Sequence, residues 1–437
     1  MINSKKNTFE QHDNESISFY RHSVNKLEIT NHLDNKIDVD VCVIGGGLTG
    51  VTSALNLTNK GYKVALLEAR KIGWGASGRN GGQLSTGMRR DQKFLEKKLG
   101  MDHAKELWNL GLESVKETIN LISKYNIQCS IHQGVMHAGY YPNDYIHFVN
   151  DIEHMQKFYN FNDYEYFDLN QIRNQINSEK YYSGLLNKNA YHLNPLKYLY
   201  GITKELLKLK VKIYENSPAE RIEETNSGIE VKTKHGFIKT NYVVVGCNGY
   251  LDNLLGKTQQ KFMPINNYMI ATEPLGEKNA RELISNNFAV CDTRFIIDYY
   301  RFSEDWRMLF GGGETYTSAF LDNSKKIVSS RMYKIFPILK KYKIDFSWGG
   351  TLAITVNRLP HFGTLMNNKV IYAHGYSGHG LGLSTLAGKL IAEKISGYND
   401  RFNFIESINH NIIPGGNFLR RLIYASAIGY YKLKDLK

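Results

Sequence analysis

Residues 39–50 read Val-Asp-Val-Cys-Val-Ile-Gly-Gly-Gly-Leu-Thr-Gly, and this stretch decides the fold. The β-branched run Val39, Val41, Val43 and Ile44 predicts a short buried strand beginning near Asp38, which the glycines end in a tight turn. Beyond the turn, Val51, Ala54, Leu55 and Thr58 recur at helical spacing, Gly61 supplies a stop, and residues 64–67 resume an apolar strand closed by Glu68. That is one strand–helix–strand unit. Gly45, Gly47 and Gly50 satisfy G-x-G-x-x-G at its first junction: one glycine for the turn, one for approach to a pyrophosphate, one for close helix packing. A dinucleotide is therefore expected, its phosphates facing Gly45, Gly47, Leu48, Thr49 and Gly50 at a helix N-terminus. Glu68 ends the second strand, where it can accept from ribose hydroxyls. A carboxylate there disfavours a 2′-phosphate, so FAD or NAD is expected rather than NADP.

The sequence after Glu68 distinguishes these two. Residues 73–83, GWGASGRNGGQ, hold five glycines in eleven positions. Glycines let the main chain lie flat against a planar ring, and Ser77, Arg79 and Asn80 can serve a pyrophosphate and the ring edge. An ordinary flexible loop is the alternative. The cofactor-facing set on this reading is Glu68, Ala69 and Arg70, then Gly75, Ala76, Ser77, Arg79, Asn80, Gly81, Gly82 and Gln83.

Working outward, residues 93–124 read as helix and 131–141 as strand. A helix opens at Pro195 and runs to about 210. Strands follow at 211–215 and 242–246, with a hairpin around 226–228, then at 269–272, 295–302 and 308–312. A last buried strand, 369–373, enters His-Gly-Tyr-Ser-Gly-His-Gly and a helix over 381–396. The 437 residues, 42% hydrophobic and 22% charged, fit a soluble globular protein of two to four domains. Lysine and arginine exceed acids by 55 to 42, but no run of five or six occurs, so a solvated basic surface is expected and no nucleic acid as partner. Cys42, Cys129, Cys247 and Cys291 form no CxxC pair, so neither a metal site nor a redox dithiol is indicated. Residues 1–37 read as a polar arm, either disordered or draped over the body. With no apolar leader and no integral membrane segment, a cytoplasmic location is expected.

Several motifs carry a family resemblance. They are Gly75-Ala76-Ser77-Gly78-Arg79-Asn80-Gly81-Gly82-Gln83, His192-Leu193-Asn194-Pro195-Leu196, Ile270-Ala271-Thr272-Glu273-Pro274-Leu275 and Leu309-Phe310-Gly311-Gly312-Gly313. Further on come Asn357-Arg358-Leu359-Pro360-His361, Gly375-Tyr376-Ser377-Gly378-His379-Gly380, Pro414-Gly415-Gly416 and residues 430–436. In this order and spacing they resemble the amine and amino-acid oxidoreductases of the D-amino-acid oxidase superfamily, more narrowly its gamma-glutamylputrescine oxidase branch. The resemblance implies an α/β fold with two parts. One is a Rossmann-like FAD-binding domain of the glutathione-reductase-like type, assembled from 38–130, 190–260 and 346–437. The other is an α+β substrate domain with a mostly antiparallel sheet, from 131–189 and 261–345. It also implies Ala219 near the adenine, Asn248 and Gly249 near the middle of the cofactor, and the turn Gly375, Gly378, His379 and Gly380 near the isoalloxazine pyrimidine. The helix opening there aims its positive end where the reduced ring gathers negative charge. FAD is expected to be non-covalent, because the loop offers Arg79 and the last 140 residues have no cysteine.

The expected reaction is oxidation of a C–N bond in an amine or amino acid, gamma-glutamylputrescine-like, to an imine that hydrolyses. The amine must be uncharged, and alkylamines titrate near lysine's roughly 10.4, so an apolar or cation-lined pocket is required. Tyr299 and Tyr300 are candidates for its wall, with Tyr300 a catalytic candidate and Gln83 on the substrate side. Arg301 and Arg358 could clamp a substrate carboxylate, or form salt bridges within the domain. His379 could bond the ring, supply positive charge during oxygen reduction, or cap the following helix. His132, His137 and His374 carry core or surface roles. Some superfamily oxidases place a lysine on the strand matching 307–313; this chain has none there. Oxygen, giving peroxide, is the expected acceptor. A membrane-associated dehydrogenase passing electrons to quinone, with the basic stretch 418–437 lying on an anionic membrane, is the alternative, although such a stretch is more often a packed terminal helix; an RNA-binding flavoprotein is a remote one.

Overall fold

The computed structural model describes residues 18–29, 32–226, 228–315 and 320–413. Val41–Ile44 pairs in parallel with Val64–Leu67 on one side and Tyr242–Val245 on the other. Lys212–Tyr214, Val370–His374 and the antiparallel edge His361–Leu365 complete a six-stranded sheet. Every residue of Val41–Ile44 and Val64–Leu67 is buried, as in parallel sheets covered on both faces. Strand alternation divides them. Val41, Val43, Leu66, Val244 and Ile371 meet Leu48–Asn59, Gly380–Ile395 and Met101–Lys124 on one face. Cys42, Ile44, Ala65, Leu67, Val243 and Val245 meet Ile229, Val231 and Ile238 on the other. Those three come from a four-stranded sheet of Lys36–Asp38, Phe237–Thr240, Gly228–Lys232 and Arg221–Thr225.

A nine-stranded sheet forms the second half. Its order is Ile344–Thr355, Phe262–Thr272, Met308–Thr315, Tyr299–Phe302, Ala289–Asp292, His132–Gly139, Ser183–His192 and Gln83–Leu84, with Tyr164–Phe167 also on Ser183–His192. Only the pair of Ala289–Asp292 with His132–Gly139 is parallel. The expected junctions at 190 and 346 therefore fall inside strands, since Ser183–His192 and Ile344–Thr355 both belong wholly to this sheet.

Three other expectations change. The helical run 93–124 is two helices, Gln92–Leu99 and Met101–Lys124, broken where Gly100 takes φ +85°. The strand expected over 295–302 shortens to Tyr299–Phe302, because Arg294 pairs with both Asp292 and Asp298 and folds the intervening chain back. From Ser18 onward the arm belongs to the fold. Phe19 and Tyr20 are buried in a short helix, and Lys36–Asp38 adds a parallel strand beside Phe237–Thr240. The basic stretch 418–437 and the motifs at 414–416 and 430–436 lie outside the described residues. Among the described residues no helix is long and apolar enough to cross a membrane, and all four cysteines are free.

At the sheet edge, His361 Nδ1 and His374 Nε2 are 2.8 Å apart, and the His410 ring centroid lies 4.7 Å from that of His361. Burial pushes these imidazoles down to about 2, about 3 and about 4 respectively; Lys261 acts in the same direction on all three, and neighbouring histidines do so on His361 and His374. A histidine depressed in the folded state is neutral there while the unfolded chain takes up the proton. Its contribution to stability is complete above the unfolded value of roughly 6.5 and is lost as pH falls below it. At pH 5 the loss is about 2 kcal/mol for His374 alone. Thermal unfolding should therefore shift steadily downward between pH 7 and pH 5, and less so in a His374→Gln variant. A wild-type midpoint that stays flat over this range contradicts the packing.

Candidate active site

A cavity of about 1370 Å3 separates the ends of the parallel strands from the nine-stranded sheet. This exceeds the roughly 300–1,000 Å3 of an ordinary small-molecule pocket. Two helices, Leu48–Asn59 and Gly380–Ile395, open onto it at their N-termini, and neither has a side-chain cap from its own N-cap residue. Unsatisfied N–H groups and both dipoles thus face the same space. At the first helix, Gly45 has φ +109°, and a Cβ on Gly50 would stand 1.9 Å from the Gly45 carbonyl oxygen. The Leu48 N–H donates to Ser77 Oγ at 2.9 Å, so the glycine loop reaches the helix start directly.

Glu68 Oε2 accepts from the Gly46 N–H at 2.6 Å and Oε1 from the Arg70 N–H at 2.7 Å. Burial outweighs these bonds and raises its carboxyl to about 7. Ser217 and Ala219 line the cavity with it.

The nine-stranded sheet roofs the other end. Register pairs Leu185 with His137, His137 with Cys291, Cys291 with Tyr299, and Tyr299 with Gly311. Because side chains alternate along each strand, Leu185, His137, Cys291 and Tyr299 form one row facing the cavity. Met136, Val290, Tyr300 and Phe310, each one residue away, enter the core behind the sheet. Gly311 is required here: its Cβ would lie 2.1 Å from the Tyr299 ring. Tyr299 Oη donates to Asn267 Oδ1. Cys291 Sγ and His137 Nδ1 are 3.3 Å apart. Burial drives the thiol up to about 12 and the imidazole down to about 4, the latter aided by Arg89, so the pair is neutral.

These features fit a bound dinucleotide carrying a planar ring: a phosphate-sized cradle at a helix start, a carboxylate at the ribose end, and a flat roof over a second helix N-terminus. Comparison with known proteins agrees. Residues 40–394 match the model of the DAO family, FAD dependent oxidoreductase. The chain belongs to that family. It is 37% identical over 419 residues to the gamma-glutamylputrescine oxidoreductase of Escherichia coli K12, covering 96% of this chain and 98% of that one. It is 35% identical over 401 residues to the probable oxidoreductase OrdL of Haemophilus influenzae, covering 91% and 92%. Among solved structures, glycine oxidase from Geobacillus kaustophilus superposes with a TM-score of 0.72 over 86% of this chain and 99% of that one, at 16% identity. Glycine oxidase from Bacillus cereus gives 0.70 over 86% and 100%, at 19% identity. Both show the same fold.

In this FAD-dependent oxidoreductase, Gly45, Gly47, Leu48, Thr49, Glu68, Ala69, Gly75, Ala76, Ser77, Arg79, Asn80, Gly81, Gln83, Ala219, Asn248, Arg358, Gly378, His379 and Gly380 all line the cavity. Gly50, Arg70, Gly82, Gly249 and Gly375 are not among the lining residues. Gly375 takes φ +75° and donates its N–H to Asn248 Oδ1 at 3.0 Å. The Asn80 amide is used within the loop, donating to the Ala76 and Ser77 carbonyls and accepting from the Gly82 N–H. Gln83 faces the cavity but donates to the Val290 carbonyl at 2.9 Å.

Three substrate-side expectations need correction. Tyr300 turns away from the cavity: it stacks on Phe310 and its Oη donates to Tyr181 Oη at 3.0 Å, so it touches no substrate. Period-2 alternation forbids two consecutive strand tyrosines from sharing one wall. Arg301 is no free clamp. Its Nε donates to the Gly81 carbonyl at 2.9 Å, Nη1 to the Phe302 carbonyl at 3.0 Å and Nη2 to Tyr20 Oη at 3.1 Å. The arm that covers it has no periodicity in sequence. His379 neither caps the helix with its side chain nor carries charge: Nε2 donates to the Ser85 carbonyl at 3.2 Å, and burial pushes the ring down to about 4.

Sequence reasoning missed Arg89, Glu314, and the cavity-facing roles of His137 and Cys291. Arg89 is surrounded by protein yet its surface opens onto the cavity. Among the described residues nothing accepts from its guanidinium, and burial with the neighbouring Arg358 lowers its pKa. Only the short alternation of 83–84 ahead of it hints that the segment lies on a sheet edge at the site.

Proposed function

We propose that this chain is a cytoplasmic oxidoreductase that holds FAD non-covalently and oxidises a C–N bond in an amine carrying a carboxylate, gamma-glutamylputrescine-like. The observation that carries the reading is the roof, where His137, Cys291 and Tyr299 are neutral and Arg89, without an acceptor among the described residues, stands beside Arg358. An ammonium entering this space meets two cations, Arg89 and Arg358, which favour its uncharged form, and the Glu314 carboxylate, which opposes them. Tyr299 and Leu185 press the substrate toward the Gly380–Ile395 helix start, while Arg89 and Arg358 take a carboxylate in place of Arg301. Bound FAD would supply hydride acceptance at N5 and pass the electrons to oxygen, giving peroxide. The product imine then hydrolyses to aldehyde or oxo acid. The resemblance of the whole chain to an enzyme named for gamma-glutamylputrescine supports this substrate class.

Among the described residues lining the cavity, the sole lysine is Lys93, paired with Asp151 at 3.1 Å. No free lysine stands at the roof, so slow reoxidation by oxygen accompanies this reading, and a quinone acceptor is the second arm of the test. Anaerobic mixing with gamma-glutamylputrescine, N-methyl amino acids and D-amino acids, followed by bleaching of the visible flavin band, should show gamma-glutamylputrescine fastest. Absence of bleaching with all three overturns the proposal. Oxygen and a soluble quinone, added in turn to the reduced enzyme, then rank the acceptors.

A further inference from the structure

His137 and Cys291 face each other across the one parallel pair of the large sheet, at register positions. Both are uncharged, so each carries one hydrogen and the 3.3 Å contact has a defined direction. A thiol has a single S–H and a sulfur that accepts weakly, whereas the bare nitrogen of a neutral imidazole accepts well. The favoured arrangement is therefore Cys291 Sγ–H donating to His137 Nδ1. The remaining imidazole hydrogen must then sit on Nε2. No group among the described residues bonds Nε2, and the half-buried ring borders the cavity.

The other two cavity imidazoles differ: His379 spends its Nε2 on the Ser85 carbonyl, and His154 Nε2 lies 2.7 Å from the Glu96 carboxylate. Tyr299 has its hydroxyl hydrogen on Asn267. On the roof, His137 thus presents a neutral donor without a partner among the described residues, in the cavity that Arg89 and Arg358 also line.

Resting on the function proposed above, we infer that Cys291 locks His137 in its Nε2–H form and that this N–H is a specificity determinant, donating to a carbonyl or carboxylate oxygen of the substrate. A donor aimed at the reacting nitrogen would bind the lone pair that oxidation needs; aimed at an oxygen further along the ligand, it orients the chain without that cost. The site so built prefers amines that bear an acyl or amide group over plain alkylamines.

The test uses binding to the oxidised holoenzyme, read as perturbation of the visible flavin spectrum, so it needs no turnover. The probes are N-butylacetamide, butyrate and butylamine, with wild type, His137→Phe, Cys291→Ala and Cys291→Ser. The amide should bind at least fivefold more weakly to His137→Phe and severalfold more weakly to Cys291→Ala, with Cys291→Ser restored to within twofold of wild type, because a serine hydroxyl donates to Nδ1 equally well. Butylamine should change less than twofold throughout. Butyrate reports the carboxylate arm: weakening in parallel with the amide assigns both kinds of oxygen to His137, and no change restricts the site to carbonyls. Equal weakening of amide and amine, unchanged amide binding in His137→Phe, or no amide response in wild type would each overturn the inference. These outcomes are independent of whether any amine bleaches the flavin.

Discussion

Gly50→Ala should yield protein with less than a tenth of the wild-type flavin content. The expectation follows from backbone geometry alone. The methyl would stand 1.9 Å from the Gly45 carbonyl oxygen and 3.2 Å from Val43 Cγ1, and the nearer contact is with main chain that no rotamer change can move. Either the helix backs away from the strand or the turn at Gly45 opens. Both displace the N–H groups of Leu48–Asn59 from the position that pairs with a phosphate. Stability should fall as well, by about 1–3 kcal/mol, the usual cost of overpacking. The absorbance ratio of the visible flavin band to the protein band checks the first effect and thermal unfolding the second. A variant that purifies fully yellow would show that the pyrophosphate does not rest on this turn.

Arg89→Met should change selectivity rather than content. Methionine keeps an unbranched stem of about the length of the arginine's apolar part and removes the charged guanidinium. A hydrogen bond to a charged group contributes about 1.5–3 kcal/mol, which is roughly 10- to 150-fold in kcat/KM. Gamma-glutamylputrescine should lose that factor, while putrescine, which has no carboxylate, changes less than threefold. Steady-state kinetics with the two compounds measure it, together with an unaltered flavin spectrum. Equal losses for both would place Arg89 in the architecture of the site rather than in recognition. Arg89→Lys should recover only part, since an ammonium cannot present the planar fork.

The unit from Val41 to Glu68 was legible because three independent signals coincide there: continuous apolar strands, a helical period, and glycines where backbone meets backbone. The glycine loop at 73–83 was legible for the same reason. What sequence could not show was anything depending on register between distant strands. Tyr299 and Tyr300 are adjacent in sequence and lie on opposite faces, and the choice of face is made by Gly311, which leaves room for one ring only. His137 and Cys291 are far apart in the chain and meet through a single parallel pairing. Arg301 looked like a free cation because the arm carrying Tyr20, which covers it, has neither periodicity nor turn chemistry. Arg89 was overlooked for the opposite reason: beside Arg90 it resembles a solvated pair, and only the fold turns it inward.

The claim on which the rest depends is that the cavity between the two sheets holds FAD without a covalent link. The most direct measurement is the absorption spectrum of the purified protein, followed by acid precipitation and a spectrum of each fraction. The protein should be yellow, the pellet colourless, and FAD present in the supernatant at about one equivalent per chain. A colourless preparation that takes up no added FAD, or flavin that stays with the washed pellet, would contradict it.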